Sequence, residues 1–196
     1  MSAPLKEITV ISGTFHPDVG GPPTYLMNLL TELTQRRLAR VTVITYGRNT
    51  IDYPFRVIRV SRAWPAAIKL LLFTLKCLFY GRRADLWYVN DYGLPAILAN
   101  FLLKKKILMK IVGDFAWEYS LRHGYVVDLS IDEFQNAHVS RRVSWIKAIQ
   151  NFYVSRADCI ITPSHYLKRI VSGWIKNPEK IEVVYNAQTG TIPTQP

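Results

Sequence analysis

Gly20 and Gly21 lie between a short β-branched run, Ile8, Val10 and Ile11, and a stretch in which Leu26, Met27, Leu29, Leu30 and Leu33 recur at helical spacing. Paired glycines remove side chains where the backbone turns. Pro22 and Pro23 suit a first helical turn, whose N–H groups have no intrahelical partner. Such a loop offers backbone N–H groups and the positive end of a helix dipole to an anion, most commonly a phosphate. The alternative is a plain tight turn. A second polar group follows the apolar run Ile107–Val112, where GDFAWEYSLRHGYVVD begins at Gly113. A parallel strand emits its functional loop at such a point. Asp114 there is either a carboxylate able to take a hydroxyl proton within hydrogen-bond reach or a helix N-cap. Glu118, Tyr119 and Arg122 are further polar candidates on the same loop, and Trp117 reads as a packing residue ahead of a stacking platform. Asn90, Asp91 and Tyr92 follow another strand and are placed to line the same cleft, with Asp91 equally able to cap the next helix. His16 and His165, one beside a proline and one at a helix start, read as structural.

These residues need a rigid frame, and the chain alternates strand and helix patterns throughout. Strands are expected at Ile8–Ile11, Arg40–Tyr46, Phe55–Val60, Asp85–Asn90, Ile107–Val112, Asp158–Thr162 and Lys180–Tyr185. Helices are expected after the Gly-Gly loop and at Trp64–Tyr80, Gly93–Leu103, Ser140–Ser155 and Ser164–Trp174, the last with Ser164 as its N-cap. That alternation predicts an α/β fold: a doubly wound, mainly parallel Rossmann-like sheet with helices on both faces, in one domain over residues 1–186. Residues 187–196, AQTGTIPTQP, lack an apolar period and are expected to be a disordered tail or a truncated linker.

A length of 196 residues with 49% hydrophobic content supports a buried core. No secretory signal opens the sequence, and Cys77 and Cys159 sit inside apolar segments, so a reducing cytoplasm is the expected compartment. No metal-ligand spacing links the cysteines to His16, His123, His138 and His165, and neither a metal nor another cofactor is expected. The formal net charge of +11 favours polyanionic partners: nucleic acid, anionic lipid or phosphorylated substrates. No apolar run reaches the roughly 18 residues of a spanning helix. Arg62, Lys69, Lys76 and Arg83 recur every seven residues along the apolar Trp64–Tyr80 segment, forming a narrow basic stripe. In one reading the helix packs on the sheet and the lysine stems snorkel to water, and this is the preferred one. In the other, part of its apolar surface dips into an anionic leaflet.

Two stretches carry a resemblance. TFHPDVGGPPTYLMNLLTEL from Thr14 is similar to the Phe-x-Pro-x-x-Gly-Gly opening of family-4 retaining glycosyltransferases of the GT-B architecture. RADCIITPSHYLKRIVSGWIKNPEKIEVVYNA from Arg156 resembles the stretch that closes their N-terminal domain. The resemblance spans Ile8 to about Asn186. It departs from the family where Val112-Gly113-Asp114 stands in place of a frequent His, where Asn186-Ala187 replaces Asn-Gly, and in having no paired-glutamate motif.

The resemblance implies a Rossmann-like N-terminal, acceptor-binding domain of a hexosyl-type transferase, with a nucleotide-sugar as donor substrate and a sugar or lipid-linked glycan as acceptor. Donor binding falls mainly to a C-terminal domain, so this chain alone is expected not to transfer sugar. Glycosyl transfer needs a stabiliser for the departing diphosphate and a site that orients the acceptor hydroxyl. Gly20 and Gly21 are assigned to the first. Asp114 is assigned as the catalytic carboxylate, with Asn90, Asp91, Tyr92, Trp117, Glu118, Tyr119 and Arg122 around the acceptor. Relatives that build lipid-linked glycans also make Arg62, Lys69, Lys76 and Arg83 the expected contact with the inner face of the membrane. The competing readings are a half-enzyme that meets a separate donor-binding subunit and a non-catalytic basic module for nucleic acid. The latter is disfavoured because Lys and Arg are spread along the chain without a recognition motif.

Overall fold

The structure is a computed structural model that describes residues 5–48 and 51–186; the expected tail at 187–196 lies outside the described residues. The strands are β1 (Lys6–Ser12), β2 (Ala39–Tyr46), β3 (Arg56–Val60), β4 (Leu86–Asn90), β5 (Lys106–Lys110), β6 (Cys159–Thr162) and β7 (Ile181–Val183). The helices are α1 (Gly21–Gln35), α2 (Ala66–Gly81), α3 (Leu94–Leu103), α4 (Phe115–Arg122), α5 (Ile131–Asn136), α6 (Arg141–Ser155) and α7 (His165–Ser172). The strands form one 7-stranded sheet in the order β3-β2-β1-β4-β5-β6-β7, with every neighbouring pair parallel.

A parallel sheet covered on both sides must bury both sets of alternating side chains. Ile11, Trp87, Val89, Ile107 and Met109 point to one face, where Phe73 and Cys77 of α2, Ala96 and Ile97 of α3, Val154 of α6 and Val171 of α7 complete the core. The neighbours Val10, Val41, Val43 and Tyr88 point to the other face and pack on Leu26 and Leu30 of α1. Chain order reverses between β1 and β4, so the crevice beyond their carboxyl ends is a topological switch point, where open α/β sheets bind ligands.

The expected strands all form, within a residue or two at most ends. The segment after β5 differs. It folds as α4 and α5 rather than as a loop, and with α6 these helices close a small core of Ala116, Val126, Phe134 and Val143. Ser130 caps α5 in a capping box with Glu133. The last strand, Ile181–Val183, is shorter than expected at both ends: Lys180 belongs to the 3-10 turn Pro178–Lys180, and Val184 and Tyr185 lie beyond the strand.

The basic stripe also differs. Arg62 precedes α2 and pairs with Asp18, while Arg83 lies beyond the helix end, so neither belongs to one helical stripe with Lys69 and Lys76. Those two lysines are half-buried along the flank of α2, the snorkelling arrangement. The outer face of α2 is apolar instead: Ile68, Leu71, Leu75 and Phe79 are 41%, 58%, 49% and 59% exposed. No helix of the described residues is long and apolar enough to cross a membrane.

Candidate functional site

Three loops meet at the switch point. The first, between β1 and α1, is held from the side. Arg59 on β3 donates to the His16 carbonyl at 2.6 Å and to the Tyr53 hydroxyl at 3.2 Å, and Tyr53 donates to the same carbonyl at 2.7 Å. Arg62 clamps the Asp18 carboxylate with both terminal nitrogens, and that hydrogen-bonded pair holds the Asp18 carboxyl below its ordinary value. Phe15 is fully buried against Tyr53 and Phe55. Gly20, the N-cap of α1, has φ 145°, a backbone region that side chains rarely enter. A Cβ on Gly21 would meet nothing within 4 Å, so open space lies in front of that peptide. The donor count is smaller than the sequence suggested. Pro22 and Pro23 have no N–H, and the Thr24 N–H returns to the Gly20 carbonyl at 3.2 Å. That leaves the amides of Gly20 and Gly21 for an anion.

The second loop, after β4, carries Asn90, Asp91 and Tyr92. Asn90 is 2% exposed, and its Oδ1 has no hydrogen-bond partner among the described residues. Asp91 takes a left-handed conformation, φ 57°, which turns the chain out of the strand. Its Oδ1 accepts the Val112 N–H at 2.9 Å, tying this loop to the one after β5. Although the residue keeps some contact with solvent, protein encloses the carboxyl. Burial, reinforced by the negative charge of Glu118, pushes it up to about 7 against the opposing pull of the Val112 N–H and Lys110. Tyr92 accepts a hydrogen bond from Tyr46 at 3.1 Å and packs on Phe73.

The third loop leads into α4. Glu118 folds back so that its Oε1 would lie 2.3 Å from a Cβ on Gly113. Burial, together with nearby Asp114, raises its carboxyl above the ordinary range, and Arg122 offsets part of this. Beneath these loops lies a residue that pattern reading passed over. Lys110, at the end of β5, is 1% exposed; its Nζ donates to Asn186 Oδ1 at 2.6 Å and stands 3.3 Å from the centroid of the Tyr25 ring on α1. The available signal was a lysine closing an otherwise apolar parallel strand. The switch point thus joins two carboxyls whose proton affinity burial raises, Asp91 and Glu118, with a buried lysine and an open Gly-Gly turn.

The Glycosyltransferase Family 4 sequence model matches residues 19–187. The chain belongs to that family. Its fold is similar to that of Alr3699/HepE from Anabaena, solved in complex with UDP and glucose, at 14% identity and TM-score 0.58 over 94% of this chain and 45% of that one. It is also similar to a UDP-glucosyltransferase from Polygonum tinctorium capable of glucosylating indoxyl, at 13% identity and TM-score 0.53 over 100% of this chain and 55% of that one. This chain therefore spans about half the length of the structures it matches, and at these identities the likeness is one of fold. No curated protein matches the sequence. The GT-B architecture and the N-terminal position expected from the Phe15–Gly21 and Arg156–Asn186 stretches agree with these matches.

Within this Family 4 chain, the expected site residues do not all fall together. Asp114 is 1% exposed and fully engaged as the N-cap of α4. Its Oδ1 accepts from the Trp117 N–H and Gln150 Nε2, each at 3.0 Å, and its Oδ2 accepts from Gln135 Nε2 at 2.9 Å. With three hydrogen bonds accepted, it serves as a structural centre linking α4, α5 and α6. Trp117 packs in the small core and donates to the Leu129 carbonyl at 2.8 Å, as the packing reading expected. Tyr119 stacks on His123 at 4.0 Å between ring centroids, and Arg122 is exposed at the end of α4. His16 contacts Tyr53, and His165 lies against Tyr185. Asn90, Asp91 and Tyr92 remain at the switch point with Glu118.

Proposed function

We propose that this Family 4 chain is the acceptor-side half of a retaining GT-B glycosyltransferase of the hexosyl-transferring type, using a nucleotide-sugar donor shared with a C-terminal domain. The observation that carries this reading is Asp91, an enclosed carboxyl at the switch point whose proton is exchangeable near neutral pH. A group with that affinity is suited to accept the hydrogen bond of an acceptor hydroxyl and take up its proton as the glycosidic bond forms. Asp91 therefore takes the role expected of Asp114, whose carboxylate already accepts three hydrogen bonds within the fold. Glu118 holds the same hydroxyl or its neighbour, and Asn90 Oδ1 supplies a further acceptor. The Gly20 and Gly21 amides, at the positive end of α1, support the departing diphosphate from this side.

The exposed apolar face of α2 adds a place of work to this reading. Four large side chains facing water, flanked by Lys69, Lys76 and Arg82 on a chain of net charge +11, suit peripheral binding to the anionic inner leaflet, each basic residue contributing about 1 kcal/mol.

The test is an NMR titration of the chain with methyl glycosides, together with a transfer assay against a panel of nucleotide-sugars. Methyl glycosides should shift resonances at Asn90–Tyr92 and Glu118, and Asp91→Asn should weaken that response. Shifts confined to other surfaces would defeat the site, and sugar transfer by this chain alone would defeat the division of labour.

A further inference from the structure

On the α1 side of the sheet, the inward-facing residues change character at the carboxyl ends of three adjacent strands. Val10, Tyr88 and Leu108 pack in the apolar core under α1. Two residues further along the same strands stand Ser12, Asn90 and Lys110, on the same face and all buried. They lie side by side, because Ser12 pairs with Asn90 and Asn90 with Lys110 in the strand register. β1, β4 and β5 therefore end in a polar row beneath the start of α1, where the Tyr25 ring covers Lys110.

Lys110 is the one buried cation among the described residues, and it forms no ion pair with any of them. Its Nζ has Asn186 Oδ1 at 2.6 Å and the centroid of the Tyr25 ring at 3.3 Å, contacts that hold an ammonium without neutralising it. Asp91 feels this charge but does not pair with it. A buried, unpaired charge costs stability that a methionine of similar size would recover, so packing gives no reason for a lysine at this position. An anion does. Gly20 and Gly21 lie one helical turn ahead of Tyr25, at the positive end of α1. A buried cation behind that turn adds to the same field, and salt screens it less than it screens an exposed charge.

We propose that Lys110 is a positioning residue for the donor: its buried charge, held under Tyr25, strengthens the grip of the Gly20–Gly21 turn on a diphosphate that the lysine itself does not touch. The inference rests on the donor-side reading of that turn given above. At the effective dielectric of a protein, a charge roughly 10 Å from an anion changes its affinity about tenfold. The test titrates the chain with inorganic pyrophosphate at pH 7 and follows the Gly20 and Gly21 amide resonances. Lys110→Met should weaken binding about tenfold while the thermal transition stays in place or rises, since the exposed Asn186 side chain returns to water. Asn186→Ala removes the tie but keeps the charge, and should leave the affinity unchanged. Equal affinity in Lys110→Met, an equal loss in Asn186→Ala, or a lowered thermal transition in Lys110→Met would each make Lys110 a structural residue and overturn the proposal. Pyrophosphate shifts that fall on other surfaces, or no shifts at all, would remove the donor-side reading and Lys110 with it. Shifts at the turn that Lys110→Met leaves unaltered would remove Lys110 alone.

Discussion

Replacing Asp91 by Asn isolates the carboxyl on which the acceptor reading depends. Asparagine tolerates φ 57° and its Oδ1 still accepts the Val112 N–H, so the variant removes an ionisation and little else. In the folded chain the carboxyl holds its proton up to about 7, against an ordinary 3.8. Between those values the folded state binds more protons than the unfolded one, and stability therefore falls as pH rises from about 4 to about 7. At about 1.4 kcal/mol per pH unit the full displacement amounts to roughly 4 kcal/mol, and solvent contact at the residue brings this to about 2 to 4 kcal/mol. Asparagine does not titrate. The variant should thus match the parent near pH 4 and exceed its stability by that amount at pH 8. Glu118 has the same sign and remains in both proteins, while Asp18, held low by Arg62, acts at the acid end in both, so the difference between the two curves belongs to Asp91. Guanidinium unfolding followed by tryptophan fluorescence from pH 4 to 8.5 measures it. Parallel curves across that range, or a variant less stable at pH 8, would refute the enclosed carboxyl and with it the proton-accepting role.

Lys110→Met removes a buried ammonium whose positive charge favours ionised Asp91, so the Asp91 midpoint, followed by carboxyl NMR, should rise further while the fold persists. Gly20→Val should lower stability by about 1 to 3 kcal/mol through backbone strain, whereas Gly21→Val should leave the thermal transition unchanged and only fill the open space before the turn. Asp114→Ala removes the α4 cap, leaves the buried Gln150 amide without its acceptor and takes one of two acceptors from the half-buried Gln135 amide, a loss of about 2 to 4 kcal/mol in denaturant unfolding. Leu71→Glu with Leu75→Glu should abolish co-sedimentation with anionic vesicles at low salt without a change in stability, since both side chains face water.

The sequence by itself determined the alternation of strands and helices, the doubly wound class and the family. Those properties are local: β-branched runs such as Arg40–Tyr46, the change from strand to helix across Gly20 and Gly21, and the Ser164 cap are each written within a few residues. Chemistry at the site is not local, because it depends on what other segments bring alongside. Asp114 and Asp91 both follow strands and look alike in sequence; only the arrival of Gln135 and Gln150 from α5 and α6 occupies the first, and only enclosure beside Glu118 raises the second. Lys110 read as an ordinary strand residue until α1 placed Tyr25 over its ammonium and the segment after β7 delivered Asn186. Heptad spacing aligned Arg62 and Arg83 with Lys69 and Lys76, yet the start and end of α2 left them outside it, and the packing of its Phe73 side on the sheet turned the Ile68–Phe79 face to solvent. Residue type and period set which elements form; burial and charge environment are properties of the assembled neighbours, and they were decided when the sheet brought those neighbours together.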